Sequence, residues 1–488
     1  MAEHSLDTLE PQAIWKHFAA LNAVPRASKK EERVIAFMVN FGKSLGLDTT
    51  VDEIGNVLIK KAASPGMEDR KTVVLQSHLD MVHQKNNDTV FDFDTQGIKM
   101  YVDGDWVKAE GTTLGADNGL GVAAIMSILA STDIVHPAIE ALFTIDEETG
   151  MTGALGLKGG LLTGEILLNL DTENDTEIDI GCAGGIDVTA TQAYTAEACP
   201  TGTVAYEITV KGLHGGHSGM DIHKGYANAN KVMNRMLYKA NERYGLRIAS
   251  LLGGSLRNAI PRESVAKVVV DADKTALFVE ELSLVAKEIQ QEFATTEPEM
   301  EILIELRDAA GETVLPLAVQ KNLINSVYAA LNGVYRMSAD FDDLVETSNN
   351  IAKVEVTAAH ISIQCLTRSS VETSKLDLAH ALQATFELGG FNVQFSGSYP
   401  GWAPNPNSEI LEVLKSVYYR QHGEAPEVVA CHAGLECGIL GTNYPGMDMI
   451  SFGPTILGAH SPAERASVSS VQKFWRFLLD ILREIPGK

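Results

Sequence analysis

The fold is decided by the stretch Thr72-Val73-Val74-Leu75-Gln76-Ser77-His78-Leu79-Asp80. Within it, Val73-Val74-Leu75 is a short apolar run with β-branched side chains, which predicts a buried strand over 72–76. His78 and Asp80 follow at positions i and i+2, so they lie on the same side of an extended backbone. The stretch therefore predicts a strand that ends in a paired imidazole and carboxylate.

Comparable strands flank this stretch on both sides and alternate with amphipathic segments. The pattern predicts strands at 56–60, 139–145 and 165–170 and helices at 14–23, 30–45 and 120–130. Strands that alternate with helices are typical of a largely parallel sheet. We therefore predict an α/β domain with a mainly parallel central sheet.

The pattern changes near residue 185, which indicates a second, inserted domain. Strands predicted at 206–211, 266–270, 354–357, 361–366 and 392–395 alternate less regularly with helices at 225–241, 274–294, 315–331 and 376–388. Gly397-Ser398-Tyr399-Pro400-Gly401 is predicted to be a return linker. The α/β pattern then resumes with a helix at 408–421, a strand at 447–451 and a helix at 467–485. We assign residues 1–185 and 398–488 to the α/β domain and residues 186–397 to an inserted α+β domain.

Composition and charge exclude several classes of protein. The 488 residues are 45% hydrophobic and carry a formal net charge of −25, with no local basic patch, which argues against nucleic acid or an anionic membrane as partners. We find no signal peptide and no apolar run of about 18 residues that would span a membrane, so we predict a cytoplasmic protein. The five scattered cysteines fit a reducing compartment, and we interpret them as structural thiols.

Metal-type ligands follow several of the predicted strands. Asp117 lies in Gly115-Ala116-Asp117-Asn118-Gly119, just before a predicted helix, where a simple helix cap is the alternative. The acidic run Asp146-Glu147-Glu148 follows the strand at 139–145, and Asp171 follows the strand at 165–170. His460 lies in the loop after the strand at 447–451. Open α/β sheets place their ligand site at such strand ends.

Together these positions supply two imidazoles and three carboxylates: His78, Asp117, Glu148, Asp171 and His460. Such ligands suit Zn²⁺ or a related divalent ion, and five of them suit two ions about 3.5–4 Å apart that share one carboxylate. Adjacent side chains point apart, so one glutamate of the pair Glu147 and Glu148 can bind metal while the other transfers protons. Asp80 is expected to orient the His78 ring. A hydrogen-bonded strand-end histidine and a solvated acidic loop are the alternatives.

Four motifs resemble the dinuclear zinc exopeptidases, the family that contains aminoacylases, glutamate carboxypeptidases and carnosinases. They are His78-Leu79-Asp80-Met81-Val82, Gly115-Ala116-Asp117-Asn118-Gly119, Asp146-Glu147-Glu148 and Gly458-Ala459-His460-Ser461-Pro462. Longer strings around Cys182, Leu256–Arg262 and His432–Gly438 resemble the dipeptidase branch of the family. Asn118 departs from the acidic residue that many members carry after the bridging aspartate.

The resemblance implies a role for each ligand. Asp117 would bridge two divalent ions, of which Zn²⁺ is expected and Co²⁺ or Mn²⁺ are alternatives. His78 and Asp171 would complete one ion site, and Glu148 and His460 the other. Glu147 would be the general base, with Asp80 beside it in the catalytic set. Residues 1–185 and 398–488 would then form the catalytic domain of a zinc exopeptidase.

The resemblance also implies that the inserted domain serves as a lid and a dimerisation domain, which predicts a homodimer. His217 would stabilise the reaction intermediate, and Asn258, Arg368 and Gly434 would contact a small dipeptide substrate. A turn histidine is the alternative for His217. Arg368 lies just past the predicted strand at 361–366, so an exposed strand-end arginine is the alternative there.

The function implied by the resemblance is hydrolysis of unblocked dipeptides, Xaa-His dipeptides such as carnosine being the expected substrates. One alternative is a carboxypeptidase or aminoacylase-type amidohydrolase of the same family, acting on N-blocked amino acids. The other is a non-catalytic metal-binding protein on the same fold. The presence of Glu147 argues against that last alternative, because a metal store has no use for a positioned base.

Overall fold

The computed structural model describes residues 6–86, 88–241, 243–308, 313–341, 343–432 and 434–488. The chain divides into two compact units. The first unit comprises residues 1–181, 404–430 and 435–488, and the second comprises residues 182–403 and 431–434.

The described residues form helices and strands in the following order. The helices are α1 Gln12–Asn22, α2 Glu32–Ser44, α3 Ala116–Ala130, α4 Glu147–Gly150, α5 Thr152–Gly156, α6 Ala229–Ala240, α7 Thr275–Glu292, α8 Leu317–Ala329, α9 Glu372–Leu388, α10 Glu409–His422, α11 Glu436–Asn443 and α12 Val468–Arg483. The strands are β1 Asp48–Val51, β2 Val57–Lys61, β3 Val73–His78, β4 Met100–Asp103, β5 Trp106–Ala109, β6 Ile139–Thr144, β7 Ile166–Asn169, β8 Glu177–Cys182, β9 Gly184–Ala193, β10 Glu197–Ala198, β11 Thr203–Lys211, β12 Arg247–Gly253, β13 Ser264–Asp271, β14 Glu301–Arg307, β15 Thr313–Val314, β16 Gly333–Met337, β17 Val345–Val356, β18 His360–Ser369, β19 Asn392–Tyr399, β20 Glu427–Cys431, β21 Asp448–Ser451, β22 Ile456–Leu457 and β23 Arg465–Ser467. Among these helices, none is both long enough and apolar enough to cross a membrane.

The first unit is built on an eight-stranded sheet in the order β1-β2-β6-β3-β7-β21-β8-β20. The central strands β6, β3, β7 and β21 are parallel to one another, whereas β2 pairs antiparallel with β6 and β1, and β8 pairs antiparallel with β21. Every residue of β3, β6 and β7 is buried, which explains their continuous apolar runs. His78 pairs in register with Thr144, so the carboxyl ends of β3 and β6 meet at one edge of the sheet.

Two helices of the first unit, α3 and α12, bury apolar side chains. α3 is buried along almost its whole length and contacts both α1 and β3, in keeping with its lack of charged residues after Asp117. α12 buries Val471, Phe474, Leu478 and Ile481 at helical spacing and contacts α10. A small antiparallel sheet, in the order β22-β23-β5-β4, carries the loop that contains His460.

The second unit is α+β, as predicted. Its main sheet follows the order β14-β11-β13-β12-β17-β18-β9-β19, with β16 added beside β17, and its strand pairs are antiparallel. Apolar side chains of α6, α7, α8 and α9 pack with this sheet in one hydrophobic core. This packing follows from the alternation of buried and exposed residues along β11 and β13.

Two expectations about this unit are wrong. The linker expected at residues 397–401 begins inside β19, which continues through Tyr399, and Trp402 still exchanges backbone hydrogen bonds with Cys182. The strand expected at 361–366 runs through Ser369, so Arg368 lies inside β18 and is only 4% exposed. The alternative of an exposed strand-end arginine is thereby excluded.

Candidate active site

His78 and Asp80 stand at the carboxyl end of β3 and are both buried. The His78 Nδ1 atom lies 3.2 Å from the backbone oxygen of Asp80 and 3.5 Å from its carboxylate Oδ1. This contact makes Nδ1 a hydrogen-bond donor and turns Nε2 toward the neighbouring carboxylates. Nε2 faces Oδ1 of Asp117 at 3.2 Å and Oδ1 of Asp171 at 3.4 Å.

Asp117 lies at the start of α3 but does not cap it. Its backbone is non-helical (φ −80°, ψ 112°), and the residue at the N-cap position of the helix is Gly115. Instead, its two carboxylate oxygens diverge: Oδ1 lies 3.2 Å from Nε2 of His78, and Oδ2 lies 3.1 Å from Nε2 of His460. The helix-cap alternative is therefore wrong, and Asp117 lies between the two imidazoles.

Glu147 and Glu148 open the short helix α4, directly after β6 and Asp146. The Asp80 carboxylate accepts both of their backbone N–H groups, that of Glu147 on Oδ1 at 3.0 Å and that of Glu148 on Oδ2 at 3.2 Å. The two side chains diverge from this shared anchor. Glu148 Oε2 lies 2.9 Å from Nε2 of His460, and Glu147 Oε2 lies 3.9 Å from Nε2 of His78.

Asp171 follows β7 and is held by the residue that departs from the family pattern. Asn118 donates its side-chain N–H to Oδ1 of Asp171 and to the backbone oxygen of Leu170. An acidic residue at position 118 would have no proton to donate to Asp171 when ionised. Asn118 is therefore able to hold the carboxylate of Asp171 by a hydrogen bond.

The chemistry and spacing of the donor atoms suit two ion sites. Among the described residues, His78, Asp117 and Asp171 form one group, and Asp117, Glu148 and His460 form another, with ligand atoms within 4.8 Å of one another in each. The two groups share Asp117. Each contains one imidazole and two carboxylates, which suits a divalent ion of the Zn²⁺ type. The residues present therefore fit a pair of divalent ions.

The pKa shifts at the site follow from this crowding of acids and imidazoles. Hydrogen bonds to Asp117 and Glu148 raise the pKa of His460 to about 11. Burial lowers the pKa of His78, but the charge of Asp171 and hydrogen bonds to neighbouring carboxylates outweigh it and raise that pKa well above its ordinary value. Burial also raises the pKa of Glu147 well above its ordinary value, and nearby carboxylates add to this.

Arg26 is a residue of this site that the sequence did not reveal. It is fully buried, and its Nη1 donates to the backbone oxygens of Leu79 and Asp80, both at 3.1 Å. Its Nη2 donates to the backbone oxygen of Gly115 at 2.6 Å. A Cβ atom at Gly115 or Gly119 would come within 2.5 or 2.7 Å of Nη2, so both glycines leave room for the guanidinium. In the sequence, the only indication of a large buried neighbour is this pair of glycines in the motif around Asp117.

Glu436 was likewise missed, although it lies inside a motif already noted. It is fully buried at the start of α11, and its Oε2 accepts hydrogen bonds from Gln76 at 2.7 Å and Thr144 at 2.6 Å. Burial raises the pKa of Glu436 to about 7. The residue thus adds a further carboxyl group behind the ends of β3 and β6.

The remaining predicted site residues belong to the second unit. His217 accepts the backbone N–H groups of Gly219 at 3.3 Å and Met220 at 3.0 Å on Nδ1, and burial lowers the pKa of this imidazole. A neutral ring whose Nδ1 accepts must carry its proton on Nε2, so His217 presents an N–H donor. Asn258 is exposed, and its backbone oxygen accepts the N–H of Ser218 at 2.8 Å.

Arg368 lies inside β18, where its guanidinium is buried. Its Nη1 donates to the Tyr399 hydroxyl at 2.9 Å, and its buried Nε has no partner among the described residues. Gly434 lies between β20 and α11 and is half-buried. A buried guanidinium with an unpaired N–H group is suited to an anionic ligand.

Comparison with known proteins places these observations in a family. Residues 74–484 match the profile described as peptidase family M20/M25/M40. The chain belongs to this family. It is therefore a hydrolase of the peptidase type, and the family and α/β fold predicted from the motifs are confirmed.

Individual relatives agree with this assignment. The chain is 43% identical over 484 residues, 99% of either chain, to the cytosol non-specific dipeptidase of Escherichia coli (strain K12). It is also 43% identical to the aminoacylhistidine dipeptidase of Vibrio alginolyticus, whose crystal structure superposes with a TM-score of 0.95 over 99% of each chain. The aminopeptidase PepT of Bacillus cereus, 16% identical, covers 98% of this chain and 99% of its own with a TM-score of 0.57, and so shares the fold.

Proposed function

We propose that the chain is a metal-dependent dipeptidase that hydrolyses unblocked dipeptides, including Xaa-His dipeptides such as carnosine. The observation that carries the proposal is the position of Asp117, whose two oxygens lie 3.2 and 3.1 Å from the Nε2 atoms of His78 and His460. A carboxylate between two imidazoles is the arrangement that two divalent ions share. Identity of 43% to two dipeptidases, over nearly the whole chain, supports a dipeptide substrate.

The proposed metal centre contains two divalent ions, with Zn²⁺ expected and Co²⁺ or Mn²⁺ as alternatives. His78, Asp117 and Asp171 would hold one ion, and Asp117, Glu148 and His460 the other. Bound ions would supply Lewis acidity that polarises the peptide carbonyl and lowers the pKa of a water molecule toward neutrality. Asp80 would hold His78 in its ligating tautomer through the contacts at Nδ1.

Glu147 is proposed as the general base. Its side chain is 13% exposed, and its Oε2 lies 3.9 Å from His78 Nε2, whereas Glu148 lies 2.9 Å from His460. Burial raises its pKa, which makes the ionised form a stronger base. Its Oε2 would take the proton of the attacking water and pass it to the leaving amine nitrogen. Asp80 fixes the backbone of Glu147, so this transfer begins from one defined position.

Side chains of the second unit are proposed to recognise the substrate. Arg368, whose Nε is buried without a partner, would bind the terminal carboxylate of a dipeptide. His217 would donate its Nε2 proton to the negative charge that develops on the carbonyl oxygen. Asn258 is proposed to hydrogen-bond the substrate, and Gly434 to allow its close approach. These roles would explain why an arginine occupies an otherwise costly buried position.

We also propose that the protein is a cytoplasmic homodimer that assembles through the second unit. The word "cytosol" in the name of the Escherichia coli relative supports the location. Exposed apolar side chains on β16, namely Val334, Tyr335 and Met337, support an association surface there. Light scattering of the purified chain tests the dimer, and a monomer at all concentrations would contradict it.

The deciding experiment measures amino-acid release from a matched panel of substrates. Carnosine and other free dipeptides should be cleaved in the presence of Zn²⁺ or Co²⁺, and a chelator should abolish the cleavage. N-acetylated and C-amidated versions of the same dipeptides should be poor substrates. Preference for the N-acetylated compounds would favour an aminoacylase-type enzyme instead. Protein that binds metal but releases no amino acid would favour a non-catalytic role.

A further inference from the structure

Glu464 is a buried carboxylate that the proposed reaction does not use. It is 3% exposed and lies four residues after His460. Its Oε2 accepts the backbone N–H groups of Leu114 at 2.7 Å and Gly115 at 3.0 Å. Its Oε1 accepts those of Ala116 at 2.7 Å and Asp117 at 3.3 Å. One side chain thus occupies four consecutive N–H groups of the segment that ends in Asp117.

The same residue closes the turn that follows His460. The Glu464 N–H donates to the backbone oxygen of Ser461 at 3.0 Å, and the Ser461 hydroxyl donates to the backbone oxygen of Gly458 at 2.7 Å. His460 itself has a positive φ of 62°, a conformation that needs support from its surroundings. Glu464 therefore links the turn that carries His460 to the segment that carries Asp117.

Arg26 contacts the backbone oxygen of Gly115, in the segment that ends in Asp117. Where Glu464 accepts the N–H of Gly115, Arg26 donates to the oxygen of the same residue at 2.6 Å. Arg26 also donates to the backbone oxygens of Leu79 and Asp80, next to His78. Two buried side chains of opposite charge therefore connect three ligand-bearing segments through backbone groups alone.

We infer that Glu464 is a positioning residue for the metal centre, which sets the carboxylate of Asp117 against the imidazole of His460. The inference rests on the proposed function, because it concerns the ion group shared by these two ligands. All four acceptor contacts of Glu464 are with backbone N–H groups, so it acts through Asp117. In the structure, Asp117 Oδ2 lies 3.1 Å from His460 Nε2.

The chemistry of the contact requires a carboxylate of this length. Four N–H donors in a row are matched by two oxygens that each accept twice. Glutamine would turn one oxygen into an NH₂ group that faces two N–H donors, although its size is the same. Aspartate would keep both oxygens but shorten the side chain by one methylene, so it cannot reach all four donors.

The test compares Glu464→Gln with the parent and with Glu424→Gln, which alters an exposed carboxylate of the same unit. Each purified full-length protein is stripped of metal and titrated with Co²⁺, with the affinity, the stoichiometry and the visible absorption spectrum recorded. We expect Glu464→Gln to bind Co²⁺ about 10- to 100-fold more weakly, the usual effect of losing a residue that orients a ligand. Its Co²⁺ spectrum should also change, whereas Glu424→Gln should match the parent.

Thermal unfolding of the metal-free proteins separates positioning from general stability. Parent-like Co²⁺ affinity and spectrum in Glu464→Gln would overturn the inference, even if its unfolding temperature fell. Failure of the parent to bind Co²⁺ would instead overturn the proposed metal centre, and the inference with it. If Glu464→Gln does not fold, Glu464→Asp, which keeps the charge, is judged by the same affinity and spectrum.

Discussion

Replacing Asp80 by asparagine tests whether this carboxylate holds the catalytic segment in place. Its oxygens accept the N–H groups of Glu147 at 3.0 Å and Glu148 at 3.2 Å, and the Ser28 hydroxyl at 2.8 Å. Burial alone raises the pKa of Asp80, but the hydrogen bonds from His78, Ser28 and Glu147 outweigh it and lower that pKa. The side chain is therefore ionised at neutral pH, and Asp80→Asn removes a real charge.

The size of the effect follows from these contacts. Asparagine keeps one acceptor oxygen, so one of the two backbone N–H groups will face the new NH₂ group. Losing one hydrogen bond to a charged acceptor costs about 1.5–3 kcal/mol. If that cost falls on the transition state, kcat/KM decreases about 10- to 150-fold, at roughly 1.4 kcal/mol for each factor of ten. At saturating Co²⁺ the chain should still bind metal, because the backbone oxygen of Asp80, 3.2 Å from Nδ1 of His78, remains to orient the ring.

The assay is amino-acid release from a free dipeptide at saturating Co²⁺, with metal content measured on the same samples. Ser28→Ala is the matched control: it removes one hydroxyl donor from the same carboxylate but neither backbone contact. We expect a decrease of less than about tenfold for this control, because Ser28→Ala leaves the carboxylate and its contacts with the backbone of Glu147 and Glu148 in place. A folded, metal-loaded Asp80→Asn protein with less than a threefold loss would refute the reasoning.

Three further outcomes are expected. Glu147→Gln should lower kcat about 10²- to 10⁴-fold, because the general base is lost. Its metal content, measured by elemental analysis, should equal that of the parent. Activity within tenfold of the parent would contradict this role. Tyr399→Phe removes the hydroxyl oxygen that accepts a hydrogen bond from Arg368 Nη1 at 2.9 Å. The KM for free dipeptides should therefore rise about fivefold while kcat stays within twofold. Equal changes in KM and kcat would argue for a merely structural role. The pKa of His460 in the metal-free protein is raised to about 11, so this imidazole must lose a proton before it binds an ion. Metal affinity should therefore increase as the pH rises from 6.5 to 9. Calorimetric titration in buffers of different ionisation enthalpy measures the protons released, and no release at pH 7.5 would contradict the shift.

Much of the first unit could be predicted because its strands are buried on both faces. β3, β6 and β7 appear in the sequence as continuous apolar runs, and the ligand-type residues follow directly after them. β17 shows the opposite case. Its first half contains polar residues such as Asn349 and Asn350 that are fully buried, so the sequence predicted only its apolar end.

These buried polar residues are stable because they bond to one another across strands. Asn349 Oδ1 accepts from the Thr367 hydroxyl at 3.0 Å, and Thr347 and Ser369 share a hydrogen bond of 2.9 Å. No periodic pattern reveals such pairs. The same limit applies to Arg26 and Glu464, whose partners are mostly backbone groups and leave no mark on the neighbouring sequence beyond the glycines at 115 and 119.

The order of the ligands along the chain bears on how the protein is made. His78, Asp117 and Asp171 are all translated within the first 171 residues, whereas His460 lies 343 positions after Asp117. Strand β21, which pairs with β7, is also synthesised late. On the proposed assignment, a polypeptide still emerging from the ribosome has one ion-binding group but not the second. Peptide cleavage would therefore begin only after the segment that carries His460 has left the ribosome.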